Sequence, residues 1–286
     1  MFRSPLLLIL QLFIIESIAK STSLSCGYSH TCLIKASESS HGGPIECWGE
    51  NLKGETNPPN EIFQQVTSGH MFSCALTMHS TVQCWGDIQN VPVNTKFQSI
   101  TAGRMHACGI TFSNEIYCFG RNEHGETVPP KKRSLYKQVA CGYSNSCALT
   151  RDGFVECWGR MKGHALPQTK LKTISAKRER YCGVDMDGNV VCWGSSNREK
   201  CEDRQGQYLD VSVGIKEVCA LHHNNTLDCW GAMQSVVPYN QTAEYHQISM
   251  GVDHACAVKL DGHVICFHNG PNYNLHEAPL GMALEF

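Results

Sequence analysis

The sequence predicts an all-β protein built from seven stacked units. Two observations carry this. The first is a cysteine pair in a fixed frame, seen in full from Cys147 to Gly159: Cys-Ala-Leu-Thr-Arg-Asp-Gly-Phe-Val-Glu-Cys-Trp-Gly. It recurs as Cys32/Cys47, Cys74/Cys84, Cys108/Cys118, Cys147/Cys157, Cys182/Cys192, Cys219/Cys229 and Cys256/Cys266. Six pairs keep a ten-residue step, and the first carries a longer insert. The second cysteines advance by 37, 34, 39, 35, 37 and 37 residues, so a unit of about 37 residues fills the chain from 24 to 286. The second observation is the texture between cysteines. Short runs rich in β-branched and aromatic residues are bounded by Gly, Asn, Asp and Pro, as strands are. No apolar stretch keeps a helical period.

The unit boundaries are expected near 24–60, 61–95, 96–133, 134–169, 170–206, 207–243 and 244–286. Each unit opens with an aromatic or Leu, then Val or Ile three residues later, then Gly three after that. Examples are Phe63-Val66-Gly69, Phe97-Ile100-Gly103, Tyr136-Val139-Gly142, Tyr208-Val211-Gly214 and Tyr245-Ile248-Gly251. Unit five has Leu171 and Ile174 but Lys177 where Gly is expected. The first cysteine follows five residues after the Gly. The order is therefore strand, Gly-containing turn, strand with the first cysteine, tight hairpin, and a strand ending in Cys-Trp-Gly. Asp152-Gly153, Asp187-Gly188 and Asp261-Gly262 mark the hairpins, because such pairs tolerate the positive φ that tight turns need. A variable loop follows, with prolines at 58–59, 92, 129–130, 167 and 238.

This frame places the two cysteines opposite each other. With a loop at 151–153, Cys147 faces Cys157 across an antiparallel pair, where Cα atoms lie roughly 4.5–5.5 Å apart. That is within the span of about 4.4–6.8 Å that a disulfide uses. One bridge per hairpin follows, each closing a loop worth on the order of 2–3 kcal/mol in the chain-entropy picture. Zinc would call for closely spaced ligands, and a redox pair for Cys-x-x-Cys, neither of which is present.

Composition sets the compartment. Formal net charge is -2 across 286 residues, which carries no nucleic-acid footprint. Lys131-Lys132-Arg133, the one compact basic run, reads as a solvated loop. Residues 1–19 read as a secretory signal peptide: Arg3, an apolar run from Leu6 to Ile15 broken by Gln11, then Ser17-Ile18-Ala19 with cleavage after Ala19. The run is too short for a stable span. The expected product is a soluble, secreted, extracellular protein with no membrane span, a setting in which cysteines persist as disulfides. Sequons at Asn224 and Asn240 suit the same route, the first on a hairpin turn. Seventeen cysteines are an odd number, so one at least is left over. Cys26 and Cys141 share the slot before the turn Gly and read as buried small side chains. Cys201, in a polar loop, is the candidate for an intermolecular disulfide.

The frame Val-x-x-Gly-x-x-His-x-Cys-Ala-Leu…Asp-Gly-x-Val-x-Cys-Trp-Gly closely resembles the regulator-of-chromosome-condensation repeat family. The resemblance is carried by Gly103…His106-Ala107-Cys108, Gly251…His254-Ala255-Cys256 and Asn51-Leu52-Lys53-Gly54-Glu55-Thr56, and spans about 24 to 286. It implies a seven-bladed β-propeller of four-stranded blades that cover one another's faces. Trp48, Trp85, Trp158, Trp193 and Trp230, with Phe119 and Phe267, would fill the gaps between blades. The alternating tail Met282-Ala283-Leu284-Glu285-Phe286 is expected to help close the ring. The family's founder is a nuclear exchange factor on chromatin. The leader, the paired cysteines and the missing basic tail instead resemble extracellular relatives, the ectodomains of crinkly-type plant receptor kinases and the propeller-type β-lactamase inhibitor protein.

On such a propeller the loop between turn Gly and first cysteine lies at one face. Its variable residues include Tyr28, Met71, Arg104, Met105, Tyr143, Arg178 and Lys216, types enriched at protein interfaces. Residues that vary on a fixed frame suit a recognition face. Three histidines, His30, His106 and His254, stand two before a first cysteine. They read as orienting the turn by hydrogen bonding rather than as metal ligands. No nucleophile elbow, zincin motif or phosphate loop is present, and no cofactor is expected. The expected function is a protein-binding module, as ligand, inhibitor or matrix component, and not an enzyme. A lectin-like, glycan-binding propeller is the alternative, and an enzyme with a channel site the more remote one.

Overall fold

The computed structural model describes residues 23–35, 42–130, 134–161, 165–194, 202–231, 243–268 and 283–284. The expected leader, Lys131-Lys132-Arg133, Cys201 and Asn240 lie outside them. Among the described residues there is no helix. Seven antiparallel sheets follow one another along the chain, each an inner, a middle and an outer strand in sequence order. The inner strands are Leu24–Cys26, Phe63–Ser68, Phe97–Ala102, Tyr136–Cys141, Leu171–Lys177, Tyr208–Val213 and Tyr245–Met250. Each packs on the inner strand of the next blade, and the first packs on the last, so the ring is closed around a central channel. The protein is a seven-bladed β-propeller.

The spacing of aromatic and Val/Ile by three residues has a structural cause. A regular strand would send positions three apart to opposite faces. In blades two to seven the register slips by one residue just after the aromatic (Leu171 in blade five), as between Tyr136 and Gln138. This bulge returns both side chains to one face. Tyr136 and Val139 accordingly share one buried cluster, and Tyr208 and Val211 another.

The middle and outer strands form the stapled hairpin. The bridges are Cys32–Cys47, Cys74–Cys84, Cys108–Cys118, Cys147–Cys157, Cys182–Cys192, Cys219–Cys229 and Cys256–Cys266, the seven pairs expected from the spacing. In every blade the two cysteines are direct register partners.

The expected separation of these partners is corrected. Cα atoms lie 4.1 Å apart in Cys32–Cys47 and Cys219–Cys229, and 4.0 Å apart in the other five pairs. These separations lie just under the roughly 4.5 Å of a non-hydrogen-bonded antiparallel pair, the closer of the two pair types. The two cysteines of a bridge also differ in burial. The first is fully buried in all seven blades. Of the second cysteines, Cys192 and Cys266 are buried, while Cys47, Cys84, Cys118, Cys157 and Cys229 are half-buried at the margin of the cluster shared with the following blade. The staple thus runs from the core of the blade toward its outer strand.

In six hairpins the sixth residue after the first cysteine takes positive φ. It is Gly153, Gly188 or Gly262 where the Asp-Gly signal stands, and Ser80, Asn114 or Asn225 elsewhere. Asn225 belongs to the first sequon, and Asn224 beside it is exposed. The aromatic of each Cys-Trp-Gly (or Cys-Phe) closes the gap to the preceding blade. Trp85 packs with Cys32, Ile34 and Ile45 of blade one. Trp48 packs with Val258, Val264 and Cys266 of blade seven.

Two further expectations are corrected. The blades were expected to be four-stranded, yet the described sheets have three strands, except that of blade seven. There Ala283–Leu284 lies parallel to the outer strand Val264–His268 as a fourth. The described part of the tail thus extends the last blade at its outer edge. The closing seam is made at the inner strands. Gln247 of blade seven clasps the backbone of Leu24 through both amide atoms, at 3.2 and 3.3 Å, and Ser249 Oγ accepts from Cys26 N at 2.9 Å.

The same devices recur around the ring. Gln65 clasps Ile100, and Gln138 clasps Ile174, each with two bonds. Hydroxyls of Ser25, Thr67, Ser175 and Ser212 accept from the inner strand of the following blade. An inner strand presents an unpaired edge to the channel, and buried backbone groups left without partners cost free energy. Side chains of the neighbouring blade satisfy that edge. Gln247→Ala removes both bonds of the clasp at the closing seam. We expect it to lower Tm by roughly 2–6 °C in thermal unfolding followed by circular dichroism. An unchanged Tm would mean that the clasp does not hold the seam.

Candidate functional site at the channel mouth

The turns between inner and middle strands form one face of the ring. Their glycines are set by close approach. A Cβ on Gly103 would fall 2.5 Å from the His106 ring, and one on Gly27 would fall 2.6 Å from His30. The side chain three residues after each glycine thus lies flat across its own turn and continues outward. His30 Nε2 meets Ser73 Oγ at 2.8 Å, His106 Nε2 meets Ser146 Oγ at 2.8 Å, and His254 Nε2 meets Thr31 Oγ1 at 2.9 Å. Each hydroxyl stands just before the first cysteine of the next blade. The histidines therefore tie blade to blade, where the sequence suggested that they orient their own turn.

The remaining slots do related work with other chemistry. Arg180 donates to Ile215 O of blade six through its guanidinium. Ser73 and Ser146 also donate to the carbonyls of Glu55 and Glu126, which accept from the indole N–H of Trp85 and Trp158 at 2.7 and 2.8 Å. The Asn-x-x-Gly-Glu-Thr loops, at 51–56 and 122–127, thus seat the tryptophan of the following blade. Their buried Glu side chains accept from backbone N–H groups of their own loop.

Burial decides the charge of these histidines. Desolvation lowers His30 to a pKa of about 3, helped by Lys177 and His70, and lowers His106 to about 4 against the opposing pull of Glu126. Both are neutral near pH 7. His106, Cys108 and Cys141 have ligand atoms within 4.8 Å of one another, but Cys108 is held in its disulfide with Cys118 and His106 Nε2 faces Ser146. Cys26 and Cys141 are free and buried, and burial pushes both thiols up, that of Cys141 to about 12.

Inside the ring of glycines the turns meet. Backbone bonds run from blade to blade: Tyr28 N to Gly69 O, His70 N to Arg104 O, Arg104 N to Gly142 O, and Tyr143 N to Arg178 O, at 2.8–3.0 Å. The first variable residues of several turns gather around one recess of about 40 Å³. Tyr28, His70, Arg104, Tyr143, Lys177 and Arg178 line it. Tyr28 stands edge-on to His70 with centroids 4.3 Å apart. The Arg104 guanidinium lies 4.1 Å over the Tyr143 ring. Lys177 crosses the channel from blade five to blade one, where Nζ donates to the carbonyls of Cys26 and Gly27 at 3.0 and 3.2 Å. Its burial lowers its pKa to about 8, against Cys26 and Glu217, which favour the charge.

Of the residues singled out from the sequence, Tyr28, Arg104, Tyr143 and Arg178 come together at this recess. Met71, Met105 and Lys216 do not. They are the second residue of their turns and lie over the end of their own blade's outer strand. Met71 O and Met105 O accept from Asp87 N and Arg121 N, and Lys216 is exposed. Arg121 also donates to Met105 Sδ at 3.1 Å. His70 belongs to the same variable turn as Met71, and Lys177 was missed as a site residue. The signal for Lys177 was its place in the slot that other units give to Gly; Arg178 beside it takes φ 54°.

Comparison with known proteins agrees with this architecture. Residues 97–126 and 136–162 match the regulator of chromosome condensation (RCC1) repeat. No curated protein sequence matches the chain. Among solved structures, the CRINKLY ectodomain of the Arabidopsis thaliana receptor kinase ACR4 is 25% identical with a TM-score of 0.73, over 88% of this chain and 97% of that one. The entire ectodomain of the Physcomitrella patens receptor kinase CR4 is 19% identical with a TM-score of 0.71, over 87% and 73%. Prp20p from Saccharomyces cerevisiae, whose binding to Gsp1p and histones is described with its structure, is 14% identical with a TM-score of 0.67, over 91% and 85%.

The buried histidines give a pH dependence with a defined sign. Their folded pKa values lie below the unfolded value of about 6.5. Their contribution to stability is complete above that pH and is lost as pH falls toward 4 and then 3, because the unfolded chain takes up the protons. Denaturant unfolding of the wild type should lose about 1.4 kcal/mol per pH unit per histidine across that window, relative to the His30→Gln/His106→Gln variant. The raised carboxylates Asp210 and Glu217 act in the opposite sense and cancel in the comparison. Parallel pH curves for the two proteins would refute the assignment.

Proposed function

We propose that this RCC1-like β-propeller is a secreted protein-binding module without enzymatic activity, which docks an extracellular protein on its channel-mouth face. The carrying observation is the recess itself. Tyr28, Arg104, Tyr143 and Arg178 differ from unit to unit, yet the fixed frame gathers them at one place. Tyr and Arg dominate binding hot spots because they combine large contact area with directed donors. They stand here on turns held by backbone bonds between blades, so little ordering is lost on docking. The seven disulfides and the ectodomain neighbours support an oxidising, extracellular setting. Residues 1–19 serve as the leader that takes the chain there.

Relatives of the fold support a protein partner. Yeast Prp20 has been solved with Kap60 bound, and its binding to Gsp1p and histones has been described. In the present chain Asn224 carries a glycan. It sits on a middle-to-outer hairpin, the opposite end of the blade from the mouth turns, so a glycan there leaves the recess open. The turn residues at the recess do not repeat one aromatic or amide from unit to unit, which favours a protein over a glycan.

A partner is obtained by capture from the protein's own tissue fluid and identified by mass spectrometry. Tyr28→Ala, Arg104→Ala and Tyr143→Ala should then each weaken its binding by about tenfold or more in surface plasmon resonance. Met71→Ala and Lys216→Ala, outside the recess, should change it little. The reverse ranking would move the interface off the mouth.

A further inference from the structure

We propose that the channel-mouth recess is a carboxylate pocket, and that an acidic side chain or a chain-terminal carboxylate of the protein partner seats in it. This deepens the docking face argued above and rests on it. Three cationic side chains, Arg104, Lys177 and Arg178, line the recess, and none of its lining residues is acidic. Gathering like charges in a half-buried space is unfavourable unless an anion joins them.

The donors are also left incomplete. Arg104 Nε and Arg178 Nε are both shielded from solvent and meet no acceptor among the described residues. Both side chains are half-exposed while their Nε atoms are shielded, so a ligand oxygen would be met by the terminal N–H groups of the guanidiniums. Arg104 is held in place by the face of Tyr143, and Lys177 by two carbonyls of blade one, which use two of its three N–H groups. The donors are thus fixed before any ligand arrives, on blades three and five. Carboxylates in the neighbourhood, Glu50 and Glu55 beside His70 and Glu217 beside Lys177, act from outside the lining. Burial, with Arg104 beside it, lowers the pKa of His70, so its ring adds no fourth charge near pH 7.

Size narrows the ligand. About 40 Å³ admits roughly three water positions. A carboxylate, with three heavy atoms, matches that space, and two coplanar oxygens suit the forked donors of a guanidinium.

The test uses the free protein and needs no partner, so its failure leaves the docking face to be judged by the alanine series above. Protein carrying ¹³C-labelled lysine is titrated by NMR at fixed ionic strength, with the Lys177 Cε signal assigned through Lys177→Gln. Four probes are used: N-acetylglycine as a chain-end carboxylate, the α-amide of N-acetylglutamic acid as a side-chain carboxylate, N-acetylglycinamide as the neutral control, and inorganic sulfate. We expect one or both carboxylates to shift the Lys177 signal saturably and to raise its pKa, with the neutral amide silent. The tighter of the two identifies the source of the group. Arg104→Gln and Arg178→Gln, on separate blades, should each weaken the effect by about tenfold. No saturable shift with either carboxylate, an equal response to the neutral amide, or tighter binding of sulfate would overturn the proposal.

Discussion

A blade of this ring cannot stand alone, because both of its faces are apolar and its inner strand has an unpaired edge. What lets them close is, in six of the seven, the absence of a Cβ at one turn position. The glycine allows the side chain three residues later to lie across the turn at a distance that any other residue would block. From there His30, His106 and His254 reach a hydroxyl on the next blade, and that hydroxyl in two cases also anchors the loop that seats the next tryptophan. Seam, core and mouth therefore share one local geometry. Where the glycine is replaced by Lys177, the turn still forms, and the long side chain goes the other way, across the channel to blade one.

The hairpin disulfides work on a different scale. Each closes a short loop within one blade, so it limits the unfolded hairpin and leaves the seams between blades to non-covalent contacts. The seams depend on side chains satisfying backbone groups: glutamine clasps at Leu24, Ile100 and Ile174, and hydroxyls at the ends of the inner strands. This division explains why the frame around the cysteines is so regular while the inner-strand residues alternate among Gln, Thr, Ser and Asp.

Much of this frame was legible in the sequence. Cys147 facing Cys157, the Asp-Gly hairpin and the aromatic after the second cysteine are all local patterns, repeated often enough to reinforce one another. The three-residue step from Tyr136 to Val139 was visible too, but its meaning was not, since a bulge is a matter of register with a second strand. The histidines misled because their hydroxyl partners lie some forty residues away in the next unit. The recess was half legible. Variable turn residues pointed to the right face, but Tyr28 could not be separated from Met71 without knowing which turn position faces the axis. Lys177 and Cys26 are 151 residues apart, and only ring closure brings them together.

A rigid ring with a small cationic and aromatic recess at one end has the physical properties of a docking scaffold. Its donors are fixed in advance, its surroundings vary without disturbing the frame, and the hairpin with the Asn224 sequon points away from the recess. The most direct test of that account is hydrogen–deuterium exchange of the protein, free and with its captured partner, read peptide by peptide around the ring. The account predicts added protection concentrated in the turns that contain Tyr28, Arg104, Tyr143 and Arg178. Protection concentrated instead in the hairpins around Ser80, Asn114 and Gly153, on the opposite face, or along the outer strands would contradict it.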